Sequence, residues 1–195
     1  MSLVRYYAAQ TLDGYIAESD DTLDWLLEYE GHYEGADSDQ GRAGYDAFYK
    51  GIGALVSGST TYEWVLEHGG GWPYAGKPCW VLSSRELPKP NGDGVDVRIV
   101  SGEIPGLIDE MLDSAGDLDL WIVGGGNVAS QFADHGLLDR VEVTLVPVVL
   151  GDGKPLFDGR LPGGPMQLIS ARTFSSGMVG LNYELRPPER EPARD

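Results

Sequence analysis

Ala54-Leu55-Val56-Ser57-Gly58-Ser59-Thr60-Thr61 reads as a buried strand that turns directly into a helix start. Ala54 to Ser57 is a short, largely apolar run and Gly58 ends it. Thr60-Thr61-Tyr62-Glu63 has the spacing of a capping box, so a helix is expected from Ser59 or Thr60 to about His68, where Gly69-Gly70-Gly71 stops it. The same succession recurs at Leu120-Trp121-Ile122-Val123-Gly124-Gly125-Gly126-Asn127-Val128, with a helix expected from Val128 to about His135. Repeated strand-to-helix steps imply parallel strands joined by right-handed helical crossovers.

The flanking sequence extends the pattern. Leu3 to Ala9 is β-compatible and leads into the turn signal Thr11-Leu12-Asp13-Gly14, followed by a brief strand at Tyr15-Ile16-Ala17. Asp24-Trp25-Leu26-Leu27 can open a short helix, with Asp24 as its N-cap. The Gly-rich stretch from Gly31 to Gly44 reads as a loop, and Tyr45 to Gly51 as a helix with Tyr45, Phe48 and Tyr49 on one side. Further strands are expected at Cys79–Ser83, Asp96–Val100 and Val141–Leu150. Between them, Ile104, Leu107, Ile108, Met111 and Leu112 carry helical spacing over 104–115. Gln167–Phe174 and Val179–Leu185 flank Ser175-Ser176-Gly177 as a terminal hairpin. The expected fold is a single α/β domain over residues 1–186. It has a mixed, mostly parallel sheet, helices on both faces and a C-terminal antiparallel hairpin. Residues 187–195 are expected to be a disordered, acidic, proline-rich tail.

Composition restricts the partners. The chain has 195 residues, with 31 acidic side chains against 14 basic ones and a net charge of −17. A surface this acidic repels phosphate backbones and anionic lipid headgroups, which argues against nucleic acid and membranes as partners. The single cysteine, Cys79, makes no intramolecular disulfide or thiolate metal cage. No apolar run approaches the roughly 20 residues of a membrane span, and the N-terminus lacks the pattern of a signal peptide. A cytoplasmic location is expected.

The two strand-to-helix turns are where chemistry is expected. The first N–H groups of a helix lack internal partners and carry the positive end of its dipole, which favours an anion by about 0.3–1 kcal/mol before hydrogen bonds are added. Glycine leaves room for the ligand to approach, and Ser59, Thr60, Thr61 and Asn127 add side-chain donors. Either turn alone is an ordinary capped helix. Both in one small domain point to a nucleotide, held by amides in a chain short of lysines. A third element is the strand end Leu82-Ser83-Ser84-Arg85, whose hydroxyls and guanidinium suit a phosphate monoester, such as the 2′-phosphate of NADPH.

Thr11-Leu12-Asp13-Gly14-Tyr15-Ile16-Ala17, the turn at 58–63, Trp72-Pro73-Tyr74, the glycine run 124–126 and Pro147-Val148-Val149-Leu150-Gly151-Asp152-Gly153 with Leu156-Phe157 follow one another in this order. The set resembles the dihydrofolate reductase-like superfamily over roughly residues 3–186. Its nearest branch is the reductase domain of the riboflavin-biosynthesis deaminase–reductase and its stand-alone relatives. The resemblance implies about eight strands, NADPH as hydride donor, a phosphoribosylamino-pyrimidine as small-molecule substrate, and a homodimer. It would set Ala9 and Ile16 beside the nicotinamide. Gly58, Ser59, Thr60 and Thr61, with Leu82, Ser83, Ser84 and Arg85, would hold the adenosine phosphates. Val123, Gly124, Gly125, Gly126, Asn127 and Val128 would hold the pyrophosphate. Asp24, the candidate acid, would lie on the substrate side with Trp25, Phe48, Tyr62 and Trp72. The alternatives are reduction of dihydrofolate or another pterin, and a non-catalytic NADPH-binding module.

Two motif fragments are set aside. His32-x-Glu34 with Pro78-Cys79 imitates half of a zinc deaminase signature, but position 82 is Leu82 where the second cysteine belongs, so no metal site is expected. Gly71 to Lys77 imitates a P-loop, but Pro78 occupies the position of the magnesium-binding hydroxyl.

Overall fold

A computed structural model of the chain describes residues 2–29 and 39–185. Ten strands and five α-helices follow one another among them. They are β1 (Val4–Thr11), β2 (Tyr15–Ala17), α1 (Asp24–Leu27), α2 (Asp39–Lys50), β3 (Ile52–Gly58), α3 (Ser59–His68), β4 (Pro78–Leu82) and β5 (Asp96–Val100). A 3-10 turn at Ile104–Gly106 precedes α4 (Ile108–Ala115), β6 (Asp119–Gly124), α5 (Gly126–Asp134), β7 (Arg140–Val146), β8 (Lys154–Pro155), β9 (Gln167–Thr173) and β10 (Val179–Glu184).

Eight strands form one sheet in the order β5-β4-β3-β6-β1-β7-β10-β9. Pairing is parallel from β5 to β7, then antiparallel through β10 and β9. The expected α/β fold class is therefore the one observed. Helices cover both faces. On one, Met111 and Ala115 of α4 and Val128, Ala129 and Phe132 of α5 pack on Tyr6, Ala54, Val56, Leu120 and Ile122. On the other, Phe48 of α2 and Tyr62 of α3 pack on Leu55, Cys79, Val81 and Trp121. This alternation is the two-residue period of a strand with both faces buried. Burial in that second layer pushes the Cys79 thiol up to about 12, so it remains protonated at neutral pH.

The central strand is tied to both neighbours by one side chain. Arg5 on β1 donates to Asp119 of β6 (3.1 Å) and to Glu142 of β7 (2.7 Å), with its guanidinium over the Phe48 ring. Asp13 ties the first turn to a distant loop. Its carboxylate accepts from Thr11 Oγ1 (2.6 Å) and from the Gly151 amide (2.7 Å), and these bonds, the Thr11 hydroxyl foremost, hold its pKa below the usual carboxylate range.

Several sequence expectations need correction. The second helix starts at Asp39, inside the stretch read as a loop, despite Gly41 and Gly44. Its aromatic end supplies the reason: Phe48 stacks on Tyr7 at 4.6 Å and meets Trp121 edge-on at 5.2 Å, packing that outweighs the poor helix propensity of glycine. The helix over 104–115 is interrupted at Leu107, two residues after Pro105. β7 ends at Val146, because Pro147 has no N–H for the ladder. α5 begins at Gly126, two positions before Val128. β8 pairs with β2 in a separate two-stranded ribbon and has no sequence signature at that length. The capping box does not form. Gly58 is the N-cap of α3, no side chain caps it, and Glu63 pairs elsewhere. Asp24 is not an N-cap either; Leu23 holds that position. His32, Glu34 and the tail 187–195 lie outside the described residues.

One glycine is dictated by close approach. A Cβ at Gly53 would lie 2.0 Å from the Ala115 carbonyl oxygen, so the end of α4 presses on the backbone of β3 where its register to β6 shifts. Gly53→Ala is expected to destabilise the fold by about 1–3 kcal/mol, read as a lower urea midpoint at unchanged slope. An unchanged midpoint would mean that α4 is free to retreat.

Candidate functional site

β3 and β6 are adjacent parallel strands, yet the helices that follow them lie on opposite faces of the sheet. The chain runs outward from β3 to β5 and then returns to insert β6 between β3 and β1. Such a reversal opens a crevice at the carboxyl ends of the strands, the usual ligand position in open α/β sheets.

A cleft of about 700 Å³ occupies that position. Its floor is built from Ala8 and Ala9 of β1, Gly58, Leu82, Val123 and Gly124. Ser59, Thr60, Thr61 and Trp64 of α3 form one side, and Gly126, Asn127, Val128 and Gln131 of α5 the other. Ile16 and Ala17 of β2, Leu23 and Leu26, and Lys154 and Pro155 close the remaining wall. The two turns touch. A Cβ at Gly124 would come within 3.1 Å of Thr61 Oγ1, and one at Gly58 within 3.3 Å of a Val128 methyl. Gly125, in extended backbone between them, has only Thr61 Oγ1 near its absent Cβ, at 3.9 Å.

The structure thus brings together Ala9, Ile16, Gly58, Ser59, Thr60, Thr61, Leu82, Val123, Gly124, Gly125, Gly126, Asn127 and Val128, all expected on the cofactor side. Ser83, Ser84 and Arg85 are not among the lining residues. Arg85 lies outside the lining, and its guanidinium donates to both carboxylate oxygens of Glu63 at 3.1 and 2.7 Å. Ser83 Oγ accepts from the Arg85 amide at 3.0 Å. Asn127 is also engaged: its amide donates to Asp158 (2.9 Å) and its oxygen accepts from Gln131 (2.7 Å).

The expected substrate-side residues are less coherent. Asp24 is exposed and does not line the cleft; Leu23 and Leu26, its neighbours on either side of Trp25, do. Trp25 is buried against Val146 and Met178, a third small core beneath the α1 segment. Tyr62 is buried in the layer under α3, and its hydroxyl donates to the Pro88 carbonyl at 2.6 Å. Trp72 packs edge-on against Tyr62 and Tyr74. Helical and loop spacing put these rings near the site in sequence, but the apolar layer claimed them. Phe48 lines a second, smaller cavity of about 180 Å³ with Tyr45, Thr144, Asn182 and Tyr7, and Tyr7 lines both cavities.

Sequence reasoning missed Trp64, Gln131, Asp21, Lys154 and Asp158. Trp64 and Gln131 were legible in principle, standing one turn beyond Thr61 and Asn127 on the helix faces that start at the cleft. The other three come from loops and a two-residue strand, and no spacing rule points to them.

The cleft can hold an extended ligand by its backbone. The amides at the starts of α3 and α5 suit phosphate, glycine at 124 and 125 lets it approach, and Ala9 and Ile16 offer an apolar end for a flat ring. A nicotinamide dinucleotide fits that sequence of surfaces.

Comparison with known proteins agrees with this architecture. Residues 2–180 match the RibD C-terminal domain family. The uncharacterized protein YwjB of Bacillus subtilis (strain 168) is 32% identical over 177 residues, covering 91% of this chain and 94% of that one. The crystal structure of a putative riboflavin biosynthesis protein from Shewanella sp. PV-4 superposes with a TM-score of 0.78 at 29% identity, over 95% of this chain and 99% of that one. Dihydrofolate reductase from Enterococcus faecalis, solved in complex with NADP(H), has the same fold, with a TM-score of 0.58 at 17% identity over 93% and 94% of the two chains. The chain belongs to the RibD C-terminal domain family.

Proposed function

We propose that this protein is an NADPH-dependent reductase of the riboflavin-biosynthesis type, transferring hydride to a phosphoribosylamino-pyrimidine or a close analogue. The observation that carries this reading is the convergence of two glycine-lined helix starts on one cleft of dinucleotide size. Membership of a family named for RibD supports the reaction class, and the dihydrofolate reductase solved with NADP(H) supports the cofactor.

Bound NADPH supplies the hydride. The chain's own contribution is position and exclusion of water. In this reading the α3 and α5 amides fix the phosphates, and Ala9 and Ile16 hold the nicotinamide against the carboxyl end of β1. Leu23 and Leu26 cover it from the α1 segment, which Tyr29 fastens to the terminal hairpin by donating to the Ser176 carbonyl at 2.7 Å. The acceptor would enter from the smaller cavity, where Tyr7, Tyr45 and Phe48 offer aromatic faces and Thr144 and Asn182 polar edges. Solvent supplies the accompanying proton, since Asp24 stands outside both cavities.

A homodimer belongs to the same proposal. β9 is one of the sheet's two outer strands and every residue of it is exposed, Leu168 and Ile169 among them. An open apolar edge of this kind invites pairing. Ile169→Lys is expected to shift the mass seen by light scattering from dimer to monomer; a monomeric parent protein would remove this part of the reading.

Gly125 tests the cofactor site directly. Its φ and ψ are those of extended backbone, and beyond its chain neighbours its Cβ direction meets only Thr61. Gly125→Val should therefore keep the thermal midpoint while abolishing NADPH binding in a fluorescence titration, and unimpaired binding would sink the amide cradle. Arg85→Ala should weaken NADPH roughly tenfold, the size of one charge-assisted hydrogen bond, while sparing NADH. Equal effects on the two cofactors would remove Arg85 from 2′-phosphate recognition and leave it as the partner of Glu63.

A further inference from the structure

Lys154 is the sole cationic side chain among the described residues lining the cleft, which otherwise presents the carboxylates of Asp21 and Asp158. Its backbone is fixed on both sides. β8 pairs Lys154 with Ala17 of β2, and the next two carbonyls abut the start of α5: a Cβ at Gly126 would lie 2.5 Å from the Pro155 oxygen and 2.7 Å from that of Leu156. Lys154 therefore springs from the wall between Ile16 and the first amides of α5.

Its present partner holds it loosely. Lys154 Nζ stands 3.6 Å from Asp21 Oδ1, beyond the 2.7–2.9 Å of a charge-assisted hydrogen bond, and both side chains are nearly half exposed. The arginine–carboxylate pairs described above, by contrast, close to 3.1 Å or less. Asp21 is locked in place by its turn: its amide donates to the Glu18 carbonyl, the Glu18 amide donates to the Thr22 carbonyl, and its φ is +69°. Lysine, with a long stem and rotatable donors, is the member of the pair able to leave.

Resting on the reductase reading, we propose that Lys154 is the pyrophosphate-recruiting residue of this cleft, exchanging Asp21 for the phosphates that bridge the two halves of the dinucleotide. A chain of charge −17 repels a polyanionic ligand at a distance, and the backbone amides act only once it has arrived. A lysine free to swing over the α5 amides offsets Asp158 at close range. Asp21 competes with the ligand for that lysine, so the two residues act with opposite sign.

The test is equilibrium titration of the full chain with NADPH, NADP⁺ and adenosine 2′-monophosphate at low and high salt. Lys154→Gln should weaken both dinucleotides roughly tenfold, flatten their salt dependence, and leave adenosine 2′-monophosphate unchanged. Lys154→Arg should recover most of the loss. Asp21→Asn should tighten both dinucleotides a few-fold. Dinucleotide affinities and salt dependence unchanged by Lys154→Gln would overturn this inference alone. So would an equal loss for adenosine 2′-monophosphate, which lacks the pyrophosphate. A parent protein that binds no dinucleotide at all would overturn the reductase reading, and this inference with it.

Discussion

The side-by-side pairing of β3 with β6 is the constraint on which the site depends. Leu55 and Val56 pair with Trp121 and Ile122, and after a one-residue shift Ser57 pairs with Gly124, so the two strands end together. Because α3 and α5 then depart to opposite faces, their free amides point back toward one crevice. Thr61 reaching within van der Waals range of the Gly124 backbone shows how close the two starts come. The packing that enforces this is dense. Gly53 has no room for a methyl group beside Ala115, and Gly126 has none beside Pro155 and Leu156.

That geometry reconciles an acidic chain with the anionic ligand proposed for it. Backbone amides carry no net charge and do not alter the −17 of the sequence, yet two converging helix dipoles supply a local positive potential. The side chains around them are mostly committed to one another: Arg85 to Glu63, Asn127 to Asp158 and Gln131. Lys154 is the exception in both its spacing and its freedom. Electrostatics in this cleft is thus divided between a fixed part in the backbone and one adjustable side chain.

The elements themselves were largely legible in the chain. Buried parallel strands read as apolar runs, and glycine after them marked the turns. β2 and β5 begin and end at the residues that their local signals indicate. The failures that bear on the site share one cause. α2 extends back through Gly41 and Gly44 because Phe48 and its neighbours are gripped by Tyr7 and Trp121, a contact distant in sequence. The capping box at Thr60 to Glu63 is locally plausible, but Glu63 finds a stronger partner in Arg85. Trp25, Tyr62 and Trp72 have the residue types of a pocket wall and were taken into the core, since apolar burial is indifferent to a ring's other uses.

The sequence by itself determined the alternation of strands and helices, the terminal hairpin, and the two glycine turns with their hydroxyl and amide donors. These rest on periodicity and on backbone conformations that few residues adopt, which are local properties. Tertiary structure alone decided that β6 is inserted beside β3, which aromatic rings are core and which line a cavity, that Arg85 is paired, and that Asp21, Lys154 and Asp158 share a cleft. Those outcomes depend on contacts between residues far apart in the chain. Such contacts are selected by close packing and by competition among partners, and no short window of sequence contains either.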